Sequence, residues 1–346
     1  MSLEECTDCC KQYGNDTNIV YGSYGEFIVV FRKLEDSITT ENDKRNLVYR
    51  RNFAKFRADK LEVVCIFLKK HPYIQVKSID KKYYENDVVT YTVGKIAKIH
   101  DYNTESPYAN ASGMTYFKSV EGAFYNELDL ETYTGHYVVY NEQCGSREKE
   151  FDYVYGQKHG TCIVWRQCYN LEKEEYQYVN GKMYGTYKLW YKNGYKSGQC
   201  NYTNDMRHGQ YNAWYECAET LDNDRKFRDC TGDKKQECHY VDGKLHGVLT
   251  EWYIGNIKKT EGTYVNGKAC GQHIAWRKNG TKWIECNYFN GGRHRVEWQE
   301  NGNKLYEYSY KNDKLHGQFF EYSEDGAICR KCEYDNGVQK LKLDIS

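Results

Sequence analysis

Eight times between residues 153 and 334, a tyrosine is followed two positions later by a turn dipeptide. The tyrosines are Tyr153, Tyr178, Tyr202, Tyr240, Tyr264, Tyr288, Tyr310 and Tyr334, at steps of 25, 24, 38, 24, 24, 22 and 24 residues. All but the first dipeptide, Tyr155-Gly156, are Asn or Asp followed by Gly or Asp. Such pairs enter the left-handed region readily, which a tight two-residue hairpin requires at both central positions. A chain punctuated this way is held to short antiparallel strands.

The rest of the unit is also periodic. A His-Gly step follows the turn at His159-Gly160, His208-Gly209, His246-Gly247 and His316-Gly317, and the same register holds Gly185 and Gly271. Five residues beyond the glycine stands a large aromatic: Trp165, Trp190, Trp214, Trp252, Trp276 or Tyr322. A second turn pair often closes the unit, as at Asn193-Gly194, Asn279-Gly280, Asn301-Gly302 and Asp325-Gly326. The positions that define the repeat most clearly are Tyr178, Gly181, Gly185 and Trp190; Tyr202, Gly209 and Trp214; Tyr240, Gly247 and Trp252; Tyr264, Gly271 and Trp276; and Tyr310 with Gly317. One two-stranded unit cannot bury its aromatics alone, so the units must stack as a meander, each advancing ~10 Å.

Two irregularities stand out. The long step places a charged loop insertion near 216–233. The Tyr288 unit is short and carries Arg295 where the glycine belongs, which predicts a disturbed strand register there.

The consensus Y-x-N-G-K-x-H-G-x4-W-Y resembles the variant form of the MORN repeat over about residues 131–340. That resemblance implies a single-layer antiparallel β-ribbon serving in scaffolding, membrane-proximal localisation or dimerisation, and it points to proteins of large DNA viruses and to an antitoxin-like group. Residues 22–128 lack the period but hold strand-like runs, "FIVVF", "KLEVVCIFL" and "VVTYTVG". With "ASGMTYF" at Ala111–Phe117, they resemble an uncharacterised domain that precedes such repeats in Marseillevirus-type proteins. The Cys and His usual in that motif are absent here. The expected organisation is therefore all-β: a flexible lead (1–21), a small β-rich domain (22–128) and an elongated antiparallel ribbon of about eight units (129–346).

Charge narrows the partners. Residues 1–128 hold 18 basic and 18 acidic side chains, and 129–346 hold 31 of each. Nothing offers the basic excess that phosphate neutralisation needs, so no nucleic acid is expected. The first residues are acidic and polar, and the longest apolar runs are far too short to span a bilayer, which predicts neither signal peptide nor transmembrane segment and a cytoplasmic setting.

Candidate chemistry is sparse. Histidines at equivalent positions of adjacent units stand ~10 Å apart, too far to share one ion, and read as turn or edge residues. Cys200, Cys238, Cys286 and Cys332 all lie two residues before the repeat tyrosine, a position that also takes Phe151, Tyr176, Gly262 and Tyr308. That is an apolar packing position. Cys6, Cys9 and Cys10 leave a bound zinc open in the lead, whereas Cys329-Cys332 is explained by the repeat. The tryptophans read as a wholly buried column, or alternatively as an exposed aromatic groove for a partner. No phosphate loop, nucleophile elbow or metalloprotease motif occurs, so no catalytic, cofactor or metal residue is assigned. The expected function is a non-enzymatic scaffold that docks a protein partner or a second copy of itself. The alternatives are a module associating with membranes or lipid headgroups, and an antitoxin-like inhibitor of a protein effector.

Overall fold

The structure is a computed structural model describing residues 2–14, 16–42, 50–84, 87–106, 108–166, 171–216 and 232–344. It is nearly all β, 59% strand against 6% helix, as the turn spacing demands. The loop insertion expected near 216–233 lies almost wholly outside the described residues. The chain divides into two compact units, one comprising Met1–Trp165 with Tyr178–Gly181, the other Arg166–Gln177 with Lys182–Ser346. No helix among the described residues is long and apolar enough to cross a membrane.

In the first unit, β1 (Ile19–Tyr24), β2 (Phe27–Arg32), β3 (Phe56–Ala58) and β4 (Lys60–Leu68) are followed by β5 (Ser78–Tyr84), β6 (Asp87–Thr92), β7 (Ile96–Lys98) and β8 (Met114–Tyr116). The main sheet has the order β1-β2-β4-β7, with β3–β8 and β5–β6 as separate pairs. The three strand-like runs of the sequence are β2, β4 and β6. Val29, Phe31, Leu61, Val63, Ile66, Tyr91 and Tyr116 form the core.

Where a flexible lead was expected, α1 (Leu3–Cys10) is a helix with a complete capping box, Ser2 and Glu5 each accepting from the other's backbone N–H. Its Cys6 and Cys10 are buried, and the Cys6 thiol donates to the Lys69 carbonyl at 3.6 Å. A second helix, α2 (Val120–Tyr125), leads to the first ribbon strands, β9 (Gly135–Tyr140), β10 (Arg147–Val154) and β11 (Gln157–Trp165). These belong to the first unit: Phe53 stacks on Tyr140 with ring centres 4.4 Å apart, and Lys55 pairs with Glu142 at 3.0 Å.

The second unit is an antiparallel meander in which each strand pairs with the next, from Leu171–Val179 to Val338–Asp344. The two Asn-Gly pairs of one repeat make different turns. Asn180 and Gly181 both have positive φ, 49° and 79°, as in a type I′ hairpin. At the second pair only Gly194 does (80°), and Asn193 Oδ1 accepts the Tyr195 N–H at 3.2 Å. Asn279 and Asn301 make the same short-range bond.

The glycine of the His-Gly step is conformational. Gly185, Gly209, Gly247, Gly271 and Gly317 all have φ between 63° and 89°. Pairing shifts here: Thr263 faces Cys270, but Gly262 faces His273, leaving Gly271 and Gln272 as extra residues. This reverses the expectation for the Tyr288 unit. There, pairing runs unbroken from Ile284–Glu297 to Phe289–Gly292. Lacking the glycine and two residues, that unit loses the bulge and is the regular one.

Candidate interaction faces of the ribbon

A second bulge recurs beside the large aromatic. Glu251 faces Thr260, but Trp252 faces Lys258, which leaves Lys259 unopposed. The same shift precedes Trp190, Trp214, Trp276, Trp298 and Tyr322. In a regular strand Lys258 would share a face with Thr260. The extra residue turns it to the face of Trp252.

The result is a ladder. Lys196 is the register partner of Trp190, and its ammonium lies 5.8 Å from the ring centre of Trp214. Lys234 faces Trp214 and lies 5.6 Å over Trp252; Lys258 faces Trp252 and lies 5.8 Å over Trp276. Lys282 continues to Trp298 at 5.3 Å, and Lys304 to Tyr322 at 5.7 Å. Each of these lysines therefore links two successive rings. The bulge also brings a residue three positions on to the same face: Lys234–Glu237, Lys258–Glu261, Lys282–Glu285 and Lys304–Glu307 pair at 2.5 to 2.8 Å. At Lys196 the acceptor is Gln199. The hydrogen bond from Lys282 holds the Glu285 carboxyl below its usual range, against the opposing effect of burial.

The tryptophan column is thus not wholly buried. Trp190, Trp214, Trp252, Trp276 and Trp298 are half-buried, because a single-layer sheet has no second layer to cover them and lysine stems do so only in part.

From Trp190 to Trp298, the residue after the large aromatic ties its unit to the next. Tyr191 Oη donates to the Trp214 carbonyl at 2.8 Å, Tyr215 Oη to Trp252 at 2.6 Å and Tyr253 Oη to Trp276 at 3.2 Å. Arg277 takes the role towards Trp298, and Gln299 towards Ser323 at 2.8 Å. The W-Y step was visible in the consensus, but nothing in it marked the hydroxyl as an inter-unit donor. The signal for the ladder was also present: Lys six residues after Trp, followed by K-x-x-E. Neither was assigned from sequence.

On the other face, Tyr187 is opposite Cys200, Tyr211 opposite Cys238, His273 opposite Cys286 and Phe319 opposite Cys332. These thiols are at most 7% exposed, which suits an apolar packing position, and burial pushes Cys200 up to about 11. The repeat tyrosines pack edge-on against the rings opposite these thiols, Tyr202 on Tyr187 and Tyr240 on Tyr211. At Gly262 the His273 ring occupies the missing side chain's place, set between Tyr264 and Tyr288 with Nε2 2.8 Å from the Thr263 carbonyl oxygen. A shallow cavity of about 340 Å³ opens there.

The histidines of the His-Gly step sit at the turn edge. His208 lies 3.5 Å from Asp242 of the next turn, and His316 3.5 Å from Asp335 at the end of the next strand. Among the described residues, no group of three His, Cys, Asp or Glu is placed to hold a metal ion. In α1, burial pushes the Cys6 thiol up to about 12.

No family model matches the chain, and no curated protein matches it. Among solved structures it is similar at a low level to one described as "Crystal Structure of TcdB2-TccC3-TEV", with 9% identity and a TM-score of 0.14 over 92% of this chain and 19% of that one. The chain spans about a fifth of that chain's length, and a likeness this slight carries no argument.

Proposed function

We propose that this chain is a non-enzymatic interaction scaffold whose working surface is the repeat ribbon. The observation that carries this reading is the ladder: the same half-exposed ring and ammonium recur along one sheet face from Trp190 to Tyr322, joined by a carboxylate from Lys234 onward. A repeating, neutral, aromatic-rich surface suits docking along a partner's length. Its membership of the variant MORN class, an origin in a large DNA virus, and action in host cytoplasm or in the particle rest on the sequence resemblance. Lipid-headgroup association is the weaker reading for a specific reason. Four ladder lysines are already paired with glutamates on the same strand, so that face offers little net attraction to anionic lipid.

The test compares the full chain with a Trp252→Ala/Trp276→Ala variant of unchanged circular dichroism. Light scattering reads self-association, and affinity capture from the native cell reads partners. The scaffold reading expects a retained protein or a dimer that weakens at least ~10-fold in the variant. A monomeric wild-type chain that retains nothing refutes it. A single tight complex with one small protein would favour the inhibitor reading.

A further inference from the structure

A cavity lies within the first unit, away from the ladder. It measures about 500 Å³ and is walled by Phe117, Tyr125, the turn after α2, strand β9 and the following turn. That volume is in the range of small-molecule sites. Its chemistry is distinctive. No lysine or arginine lines it, while three glutamates do, so an anionic ligand is disfavoured.

A cationic ligand is disfavoured for a different reason. Glu142 is already paired with Lys55 at 3.0 Å. Glu127 accepts the Gly25 N–H at 2.8 Å and lies 3.6 Å from Lys81. Glu148 accepts from Asn141 at 2.8 Å. An incoming ammonium would compete with two resident ones.

What remains unengaged is neutral. The Asn126 and Gln143 side-chain amides and the Tyr137 hydroxyl have no hydrogen-bond partner among the described residues, and Asn110 uses only its Oδ1, towards Lys55 at 3.1 Å. Each amide offers both donors and an acceptor, the set that matches neighbouring hydroxyls, each of which both donates and accepts. The carboxylates keep spare lone pairs as further acceptors. The Tyr125 and Tyr137 rings, packed edge-to-face at 5.7 Å, give an apolar wall for a ligand's C–H surface.

We infer that this cavity binds a neutral polyhydroxylated ligand, a mono- or disaccharide, between α2 and β9 of the first unit. Asn126 and Gln143 are its hydrogen-bonding residues and Tyr137 its stacking wall. This inference is independent of the scaffold reading.

The test is saturation-transfer NMR on the full chain with maltose, lactose, cellobiose and N,N′-diacetylchitobiose, with spermidine and glucose 6-phosphate as charged competitors. At least one neutral disaccharide should receive transfer, and neither charged probe should displace it. Asn126→Ala and Gln143→Ala, both at half-buried sites outside the core, should weaken binding ~10-fold each with circular dichroism unchanged. Transfer to spermidine or glucose 6-phosphate alone, transfer to none of the probes, or neutral binding untouched by both substitutions would each overturn the assignment.

Discussion

The hydroxyl of Tyr191 donates to the carbonyl of Trp214, 23 positions further along, at 2.8 Å. The same bond joins Tyr215 to Trp252 and Tyr253 to Trp276, so in these three repeats the recurring aromatic pair is a ring plus a tether to the next repeat.

Tyr191→Phe and Tyr215→Phe should therefore each lower stability by about 0.5–1.5 kcal/mol, the net worth of one hydrogen bond with the ring retained. Arg277→Met should cost more. The Arg277 guanidinium donates to the carbonyls of Lys282, Trp298 and Gln299, and all three lose their donor. Urea midpoints at constant m-value check the order. Equal losses would show that the tether contributes nothing specific.

Two glycines should fail for different reasons. Gly247 has φ +85° and open space where a Cβ would stand, so Gly247→Ala should cost about 1–2 kcal/mol through backbone strain alone. Gly247→Asn should cost less, because Asn tolerates that region. Gly262 has no such φ, but an added Cβ would lie 2.1 Å from His273 Nδ1. Gly262→Ala should expel the His273 ring and break its bond to Thr263, seen as a shifted imidazole signal by NMR. If Gly247→Asn proves no better than Gly247→Ala, the conformational account is wrong.

A double-mutant cycle on Lys258 and Trp276 should give a coupling of about 0.5–1 kcal/mol, typical of an exposed cation–π contact. Lys258→Ala alone should cost little, since its ion pair with Glu261 is solvent-screened. A coupling indistinguishable from zero would reduce the ladder to coincidence of spacing.

Lys69 supplies a pH prediction. It is 1% exposed, with its ammonium donating to Ser23 Oγ at 2.8 Å and the Asn126 carbonyl at 2.6 Å, and burial lowers it from 10.5 to about 8. A base lowered on folding leaves the unfolded chain holding more protons between those two values, so this group's contribution to stability rises with pH from about 8 to 10.5. Buried thiols and phenols act in the opposite sense at the upper end, so the difference between wild type and Lys69→Met is the informative quantity. It should change across that window by on the order of 2 kcal/mol in chemical denaturation. A flat difference would mean that Lys69 titrates normally.

The strands and turns of the ribbon were legible because hairpin dipeptides recur with a fixed period, and Asn180-Gly181 has the geometry its sequence requires. The bulges were not, since a bulge is defined by what lies opposite, and no single strand shows that Lys259 has no residue facing it across the sheet. The ladder followed the bulges out of view. At Arg295 the expected disturbance is absent for a clear reason. In sequence the glycine looks like the regular state and its absence like a defect, whereas the glycine is what breaks the pairing. In the first unit, Arg57 and Lys69 are buried yet look like any surface charge in sequence. The terminal nitrogens of the Arg57 guanidinium donate to the carbonyls of Asn103, Ser106 and Ser112, groups remote along the chain, while its buried Nε has no partner among the described residues.

The tethers from Tyr191 to Trp214 and from Tyr253 to Trp276 each span the same 23 positions, while that from Tyr215 to Trp252 spans 37 across the insertion and still joins the same two kinds of group. A gene segment encoding one whole period could be duplicated or lost between two such units, and every surviving donor would meet an acceptor of the kind it had before. The number of repeats can therefore change in discrete steps without a new interface having to be invented.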